Sequence, residues 1–434
     1  MKPGARLAGA VEVLDEVMQR HRPVANALSE WGKAHRFAGS GDRAAIGNLV
    51  YDVLRRKHSL AAQMGSDSAR TLVLAAAGRA LALSPEAIAL HANGSDHSLA
   101  PLTPEEIAGL TRTIDNTAPA FVRGDLPEWL MPSIERTFGA SIVEQGQAMA
   151  RRAPVDLRVN SMKTTREKAL KALEQYGAVA TKYAALGVRI PPPEGPGRTP
   201  NVEADAAHGK GWFEVQDEGS QIAAAMSGAG PRQQVMDLCA GAGGKTLAMA
   251  AAMQNTGQIY AYDSDKGQLR PIFERLKRAG VRNAQVMNAG NIGELTALGA
   301  RFDVVLVDAP CTGSGTWRRR PDAKWRVTPQ NLEQRLADQR EVLSLARGLV
   351  KPGGRLVYVT CSILPEENTD QVTAFLGEAP EFKLVPTADA WLATVGGDAP
   401  ASADGRTDTL LLTPASHGTD GFFIAVMKRS ISSP

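Results

Sequence analysis

Residues 235–246 read VMDLCAGAGGKT, and the next seven, 247–253, read LAMAAAM. An apolar run closes on Asp237, a glycine-rich turn follows, and a helix-forming run takes over. Strand, tight turn and helix start in that order present bare backbone N–H groups to a nucleotide-like ligand. The turn also holds Cys239, one of three cysteines in the chain. The other two, Cys311 and Cys361, each stand just past the end of another apolar run in the same half.

Around this stretch the pattern alternates. GQIYAYD (257–263), AQVMNAGN (284–291), FDVVLVDAPC (302–311) and RLVYVTCS (355–362) read as strands, with DGFFIAVMKR (420–429) as the last. Helical runs separate them: 268–279, then 334–350 with a stop at Lys351-Pro-Gly-Gly, then NTDQVTAFL (368–376). Such alternation predicts a mostly parallel, doubly wound α/β sheet, whose ligands gather at the carboxyl ends of the strands. Asp237, Asp263, Asp308 and Cys361 all fall at or just past those ends, which is the main argument for one site.

Upstream, residues from Leu7 to Ala118 read as Ala-rich helices. Leu7, Val11, Leu14 and Val17 or Met18 share a face, and a helix from Ser40 turns Ile46, Leu49, Val50, Val53 and Leu54 inward. Ser84-Pro85 and Thr103-Pro104 read as helix starts. Arg55, Arg56, Lys57 and His58 read as a solvated basic face. Asp125 opens a further helical piece to about residue 150. VDLRVN (155–160) then alternates as a strand with Arg158 among its polar positions, Thr165 caps a helix that stops at Gly177, and 187–190 reads as a second strand. PPPEGPGRTP (191–200) is a loop. The expected domains are 1–120, all helical; 121–215, a helical connector and small α+β unit; and 216–434, the doubly wound domain.

With 434 residues, 43% of them apolar and 22% charged, the chain has the composition of a soluble globular protein. A net charge of +3 is too small to identify a polyanion partner by itself. Three cysteines make no disulfide framework, so a reducing compartment is expected. MKPGARLAGAVEVLDEVM carries charges inside its apolar pattern, unlike a signal peptide. No uncharged apolar stretch is long enough to span a bilayer. The expectation is a cytoplasmic protein with no membrane partner, acting as a monomer.

Two ligand readings compete for the turn. GAGGKT nearly completes a phosphate-binding loop, but that motif requires glycine at 239, where this chain has Cys239. In the second reading the turn packs against the methionine part of S-adenosylmethionine, and Asp263 accepts both ribose hydroxyls, with Asp265 a rival further from the strand. The cysteines decide. A lone free cysteine is usually a small buried hydrophobe, but two of them follow strand ends in polar surroundings. Neither has a second ligand at zinc spacing, so no metal is expected. Methylation of a pyrimidine at carbon-5 gives two thiols a use. One adds to carbon-6 and makes carbon-5 nucleophilic; the second serves as base so that the first can be expelled.

EVQDEGSQ, DLCAGAGGKT, DAPCTGSGTWRRRPDAKW, KPGGRLVYVTCSILPEEN and HGTDGFF, in that order, resemble the RsmB/NOP/Sun family of RNA 5-methylcytosine methyltransferases. RAAIGNLVYDVLR (43–55) resembles the RNA-binding NusB-like helical domain, which points to the bacterial branch acting on 16S ribosomal RNA. The resemblance implies a Rossmann-like class I S-adenosylmethionine-dependent methyltransferase domain preceded by an all-α NusB-like domain and a small α+β unit. It implies Cys361 as nucleophile, Cys311 as the product-releasing cysteine, and Asp308 beside donor and base, where it stabilises the protonated ring. Cys239, Ala240, Gly241, Ala242, Gly243, Gly244 and Lys245 match the donor turn, Asp263 the ribose acid, and Asn291 the position near adenine. Cys239 is then a binding-loop residue. The chain departs from the family in having Ala242 for the usual proline, and Gly290-Asn291 for the usual aspartate. For the RNA, Arg318, Arg319, Arg320, Lys324 and Arg326 around Trp317 and Trp325 read as a phosphate-contacting and stacking loop over the site. Alternatives are a transfer-RNA methyltransferase, a nucleotide hydrolase and a non-catalytic RNA-binding assembly factor.

Overall fold

In the computed structural model, which describes residues 1–20, 22–80, 83–95, 97–193 and 197–431, the chain forms two units. The first takes residues 1–152, 192–199 and 316–327. It is helical, with helices including Pro3–Arg20, Val24–Ala34, Ser40–Arg55, Lys57–Met64 and Ala69–Ala80. Leu7, Leu14, Ile46, Leu49, Leu72 and Leu74 fill its core with no exposed surface. The apolar faces expected of the first helix and of the helix from Ser40 are the buried ones, apart from half-buried Val11. Both serine/threonine-proline starts are real caps: Ser84 accepts from the Ala87 N–H, and Thr103 and Glu106 form a reciprocal capping box. The basic run 55–58 is not a solvated face throughout. Arg55 pairs with Asp52 at 2.9 Å, and His58 lies against the rings of Phe121 and Trp325, where burial pushes its pKa down to about 4.

The second unit takes residues 153–191, 200–315 and 328–434 and contains two sheets. The smaller is antiparallel, built from β1 (Val155–Val159), β2 (Val179–Ala180), β3 (Gly187–Ile190) and β4 (Phe213–Val215) in the order β2-β3-β1-β4. β1 does not alternate between core and solvent as its sequence implies. Asp156 and Arg158 are both buried, Asp156 by a two-pronged pair with Arg189 at 2.7 Å and Arg158 by Gln216 at 2.7 Å. The larger sheet holds β5 (Gln234–Asp237), β6 (Gln258–Ala261), β7 (Ala284–Val286), β8 (Phe302–Asp308), β9 (Val350–Thr360), β10 (Phe382–Leu384), β11 (Leu410–Leu412) and β12 (Phe422–Arg429). Its order is β10-β12-β9-β8-β5-β6-β7, with β11 paired to β12. The five strands from β9 to β7 are parallel, and β12 runs antiparallel to β9. Val304 to Val307 have no exposed surface, as a strand covered on both faces requires.

One boundary differs from the sequence reading. The helix before β9 runs from Pro329 to Leu349, capped by Thr328, and Lys351-Pro-Gly-Gly belongs to β9 instead of ending the helix. Thr328-Pro329 is the same start signal as Thr103-Pro104. No helix among the described residues is long and apolar enough to cross a membrane.

The loop after β8 and the start of β12 meet backbone to backbone. Gly421 N–H donates to the Gly315 carbonyl at 2.8 Å, and a Cβ at 421 would lie 2.5 Å from the Gly315 Cα. Gly421→Ala therefore forces these segments apart. It should lower stability by about 1–3 kcal/mol, read as a lower urea midpoint with an unchanged denaturant slope.

Candidate active site

Strand order reverses at the junction of β5 and β8, the place where connections on either side diverge and leave room for a ligand. Asp237 ends β5, Asp308 ends β8, and Cys361 follows the end of β9. Asp263 lies just beyond β6. The parallel sheet therefore brings these residues to one edge.

The turn after β5 needs its glycines. Gly241 and Gly243 have φ of +49° and +81°. A side chain at 243 would run into Ile272, whereas beside Gly241 no atom lies within 4 Å of a Cβ built there. That open side is where a ligand can approach the backbone. Asp263 sits against it: Oδ2 accepts from the Gly241 N–H and Oδ1 from the Asp265 N–H, both at 2.8 Å. Asp265 itself caps a short helix, Lys266–Leu269. Ala240 N–H donates to the Tyr262 carbonyl at 2.9 Å, and Arg275 braces the Ala242 carbonyl at 2.8 Å. Ala242 thus stays in a fixed turn without the ring of a proline.

Gly244 and Lys245 begin the helix Gly244–Ala252. Lys245 Nζ donates to Asp308 Oδ2 at 2.6 Å. The lysine of the near-phosphate-loop reading is thus committed to a carboxylate across the junction. Beneath the turn, Asp237 is wholly buried; Oδ2 accepts from the Thr246 hydroxyl at 2.5 Å, and Oδ1 has no partner among the described residues. Burial, reinforced by the Asp308 charge, pushes its carboxyl up to about 6. Burial and the same group of carboxylates hold the Cys239 thiol well above the usual range, so it stays neutral.

Cys311 and Cys361 meet. Their sulfurs are 3.4 Å apart, and both residues are half-buried. The hydrogen bond to Cys361, then burial, push Cys311 well above the ordinary thiol range. Either thiol can be the donor of the pair. The two loops are stitched together: Ser314 and Ser362 hydroxyls lie 2.9 Å apart, and Gly315 N–H donates to the Cys361 carbonyl at 2.9 Å. Asn291 stands at a helix start, exposed, with Oδ1 accepting the Glu294 N–H at 3.1 Å. The neighbouring Gly290 N–H donates to the Asp263 carbonyl at 3.3 Å.

The basic stretch departs from expectation. Residues 316–327 belong to the helical unit, and Trp317, Arg318 and Lys324 are buried. Lys324 Nζ donates to the carbonyls of Arg55 and Asp125 at 2.9 and 2.7 Å, and Trp325 Nε1 to that of Leu54 at 2.6 Å. Burial lowers the Lys324 pKa to about 8. These side chains anchor the segment and are not a stacking surface. Arg320 and Arg326 are exposed. Conversely, Glu367 and Asn368 lie buried behind the two cysteine loops. Their only mark in the sequence is a place in KPGGRLVYVTCSILPEEN.

Residues 228–428 match a family described as 16S rRNA methyltransferase RsmB/F, and residues 126–193 match the RsmF/B-like ferredoxin-like domain. The chain is similar to the probable ribosomal RNA small subunit methyltransferase B of Synechocystis sp., at 33% identity over 70% of this chain and 67% of that one. It is similar to the ribosomal RNA small subunit methyltransferase B of Sodalis glossinidius, at 33% identity over 74% of this chain and 71% of that one. The solved structure of PH0851 superposes with a TM-score of 0.74 at 25% identity, covering 99% of each chain.

The raised Asp237 pKa carries a sign. An unfolded aspartate loses its proton near pH 4, the folded one at about 6, so ionisation costs folding free energy across that window. Asp237→Asn removes the cost. The stability of the native chain relative to this variant should fall, by on the order of 3 kcal/mol, as pH rises from about 4 to above 6. Urea unfolding of both proteins across that range reads the difference; a flat difference would contradict it.

Proposed function

We propose, from the premise that the chain belongs to the RsmB/F family of ribosomal RNA methyltransferases, that it methylates carbon-5 of a cytosine in 16S ribosomal RNA through a covalent cysteine adduct. The observation that carries this reading is the 3.4 Å approach of Cys311 and Cys361 at the strand ends. The residues present fit S-adenosylmethionine as the donor. The glycine turn is open beside Gly241, and Asp263 stands next to it to accept ribose hydroxyls. Cys239 to Lys245 would hold the methionine part, with Asn291 near the adenine. The donor, when bound, supplies an electrophilic methyl group.

The chain's own groups do the rest. The Cys361 thiol gives up its proton to solvent and its sulfur bonds to carbon-6 of the cytosine; the ring electron pair moves to carbon-5, which would take the methyl group that the donor supplies. Asp308, a third exposed, stabilises the protonated ring. Before attack, the hydrogen bond to Cys361 keeps Cys311 protonated. Once Cys361 is a thioether, that hydrogen bond is weakened, and Cys311 loses its proton to solvent. Cys311 then takes the carbon-5 proton, the electron pair returns to the ring, and the Cys361 sulfur leaves.

The helical unit supports an RNA partner. A cavity of about 580 Å³ there is lined in part by Arg56, Arg123 and Arg151. Two of its acids are already matched: Asp52 by Arg55 and Arg152 at 2.9 and 2.6 Å, and Asp125 by the Ser59 N–H and hydroxyl at 2.8 and 2.7 Å. Arg123 and Arg151 on the cavity wall carry guanidinium charge that suits phosphate groups.

The mechanism makes an asymmetric demand. Cys361→Ala should abolish both methyl transfer and covalent capture of RNA, whereas Cys311→Ala should accumulate a denaturant-resistant protein–RNA adduct. Adduct formed by Cys361→Ala would show that another residue attacks. In the helical unit, Arg123→Ala combined with Arg151→Ala should weaken RNA binding and flatten its log–log salt dependence by about 1.4. Calorimetric affinity for S-adenosylmethionine should stay unchanged. An unaltered salt slope would place the phosphate contacts elsewhere.

A further inference from the structure

Two consecutive buried residues hold the two cysteine loops. Glu367 and Asn368 immediately precede the helix Thr369–Glu378. The Glu367 carboxylate accepts the Thr312 N–H at 2.8 Å and the Thr312 hydroxyl at 2.5 Å, so it grips the residue after Cys311. Gln339 closes the other side. Its Nε2 donates to Glu367 Oε1 at 3.1 Å and to the Pro310 carbonyl at 2.9 Å, the residue before Cys311. Asn368 spans the second loop in the same way: Nδ2 donates to the Ser362 carbonyl at 2.9 Å, and Oδ1 accepts from the Thr360 hydroxyl at 2.5 Å. The residues before and after Cys361 are thereby fixed. The Tyr358 hydroxyl ties the Glu367 carbonyl at 2.7 Å, which holds the pair itself in place.

A carboxylate in this position is costly to bury, and burial pushes the Glu367 carboxyl above its ordinary range. Stability alone would be served as well by an apolar side chain of similar volume. What an apolar side chain cannot supply is two directed bonds to Thr312, beside Cys311, and a third to Gln339. We propose that Glu367 and Asn368 form a yoke that sets the thiol–thiol spacing, Glu367 with Gln339 positioning Cys311, and Asn368 positioning Cys361. The proposal rests on reading Cys311 as the residue that releases product. Both are positioning residues: neither needs to touch the base. Because Glu367 acts on the Cys311 loop, its loss should impair release more than attack.

Two assays on the full chain test this. The first needs no RNA. Diamide takes two hydrogens from a pair of neighbouring thiols and leaves a disulfide, so the rate of the Cys311–Cys361 bond, followed by peptide mass spectrometry, reads their spacing. Glu367→Ala should form it about ten-fold more slowly than the native chain. Glu367→Gln should stay near the native rate, since its carbonyl keeps the Oε1 bonds and its amide can donate to the Thr312 oxygen. If Glu367→Ala fails to fold by urea titration, Gln339→Ala, which removes one strut, should slow the bond by about three-fold. Native rates in the folded alanine variants would overturn the yoke. In the second assay, Glu367→Ala given RNA and S-adenosylmethionine should accumulate the Cys361–RNA adduct while Glu367→Gln turns over. Normal turnover by Glu367→Ala would overturn the proposal. If Cys311→Ala itself accumulates no adduct, the release reading fails, and the oxidation rates still decide the yoke.

Discussion

The parallel ladder between β8 and β9 is the constraint on which the site depends. Its register places Asp308 beside Val359, so both strands end at nearly the same level. The chain then runs a few residues further from each, to Cys311 and to Cys361, and the sulfurs arrive side by side. Parallel neighbours cannot be joined by a hairpin. Here the crossover is long: residues 316–327 are built into the helical unit, and the helix Pro329–Leu349 leads back to β9. Most of that chain exists to return β9 to the right edge of β8. The bonds between Ser314 and Ser362, and from Gly315 to the Cys361 carbonyl, fix what the ladder brings close.

The same edge separates charge by function. Lys245 and Asp308 neutralise one another across the β5–β8 junction, and burial raises the Asp237 carboxyl beneath them to about 6. The glycine turn therefore offers an open face at Gly241 with the Asp263 carboxylate against it, and no bare lysine. That suits a ribose-bearing donor better than a chain of phosphates. The two thiols are in contact, and the hydrogen bond between them, with burial, raises the Cys311 thiol above its ordinary range.

Much of this was legible in the residues. Apolar runs closing on Asp237, Asp308 and Cys361 mark strand ends, because a buried parallel strand must be apolar throughout and polar where it emerges. Glycines at 241 and 243 mark a turn that takes positive φ. Long-range pairing was not legible. Asp156 and Arg158 look like solvent positions of an alternating strand until Arg189 and Gln216 arrive from distant segments. The run 317–326 looks like a basic loop, yet Lys324 finds carbonyls at Arg55 and Asp125, far away in the chain. Local charge says nothing of such partners. Glu367 was hidden for the same reason: the Thr312 it holds lies on another loop.

The central claim is that two thiols at 3.4 Å serve chemistry at carbon-5 of a cytosine. Nucleoside mass spectrometry tests it most directly. The full chain is incubated with unmodified 16S ribosomal RNA, free and in small subunits, and with methyl-labelled S-adenosylmethionine; the RNA is then digested to nucleosides. The account predicts label in 5-methylcytidine. Label in a base-nitrogen or ribose-oxygen methyl group would contradict it, since neither product has a use for a paired nucleophile and base at this site.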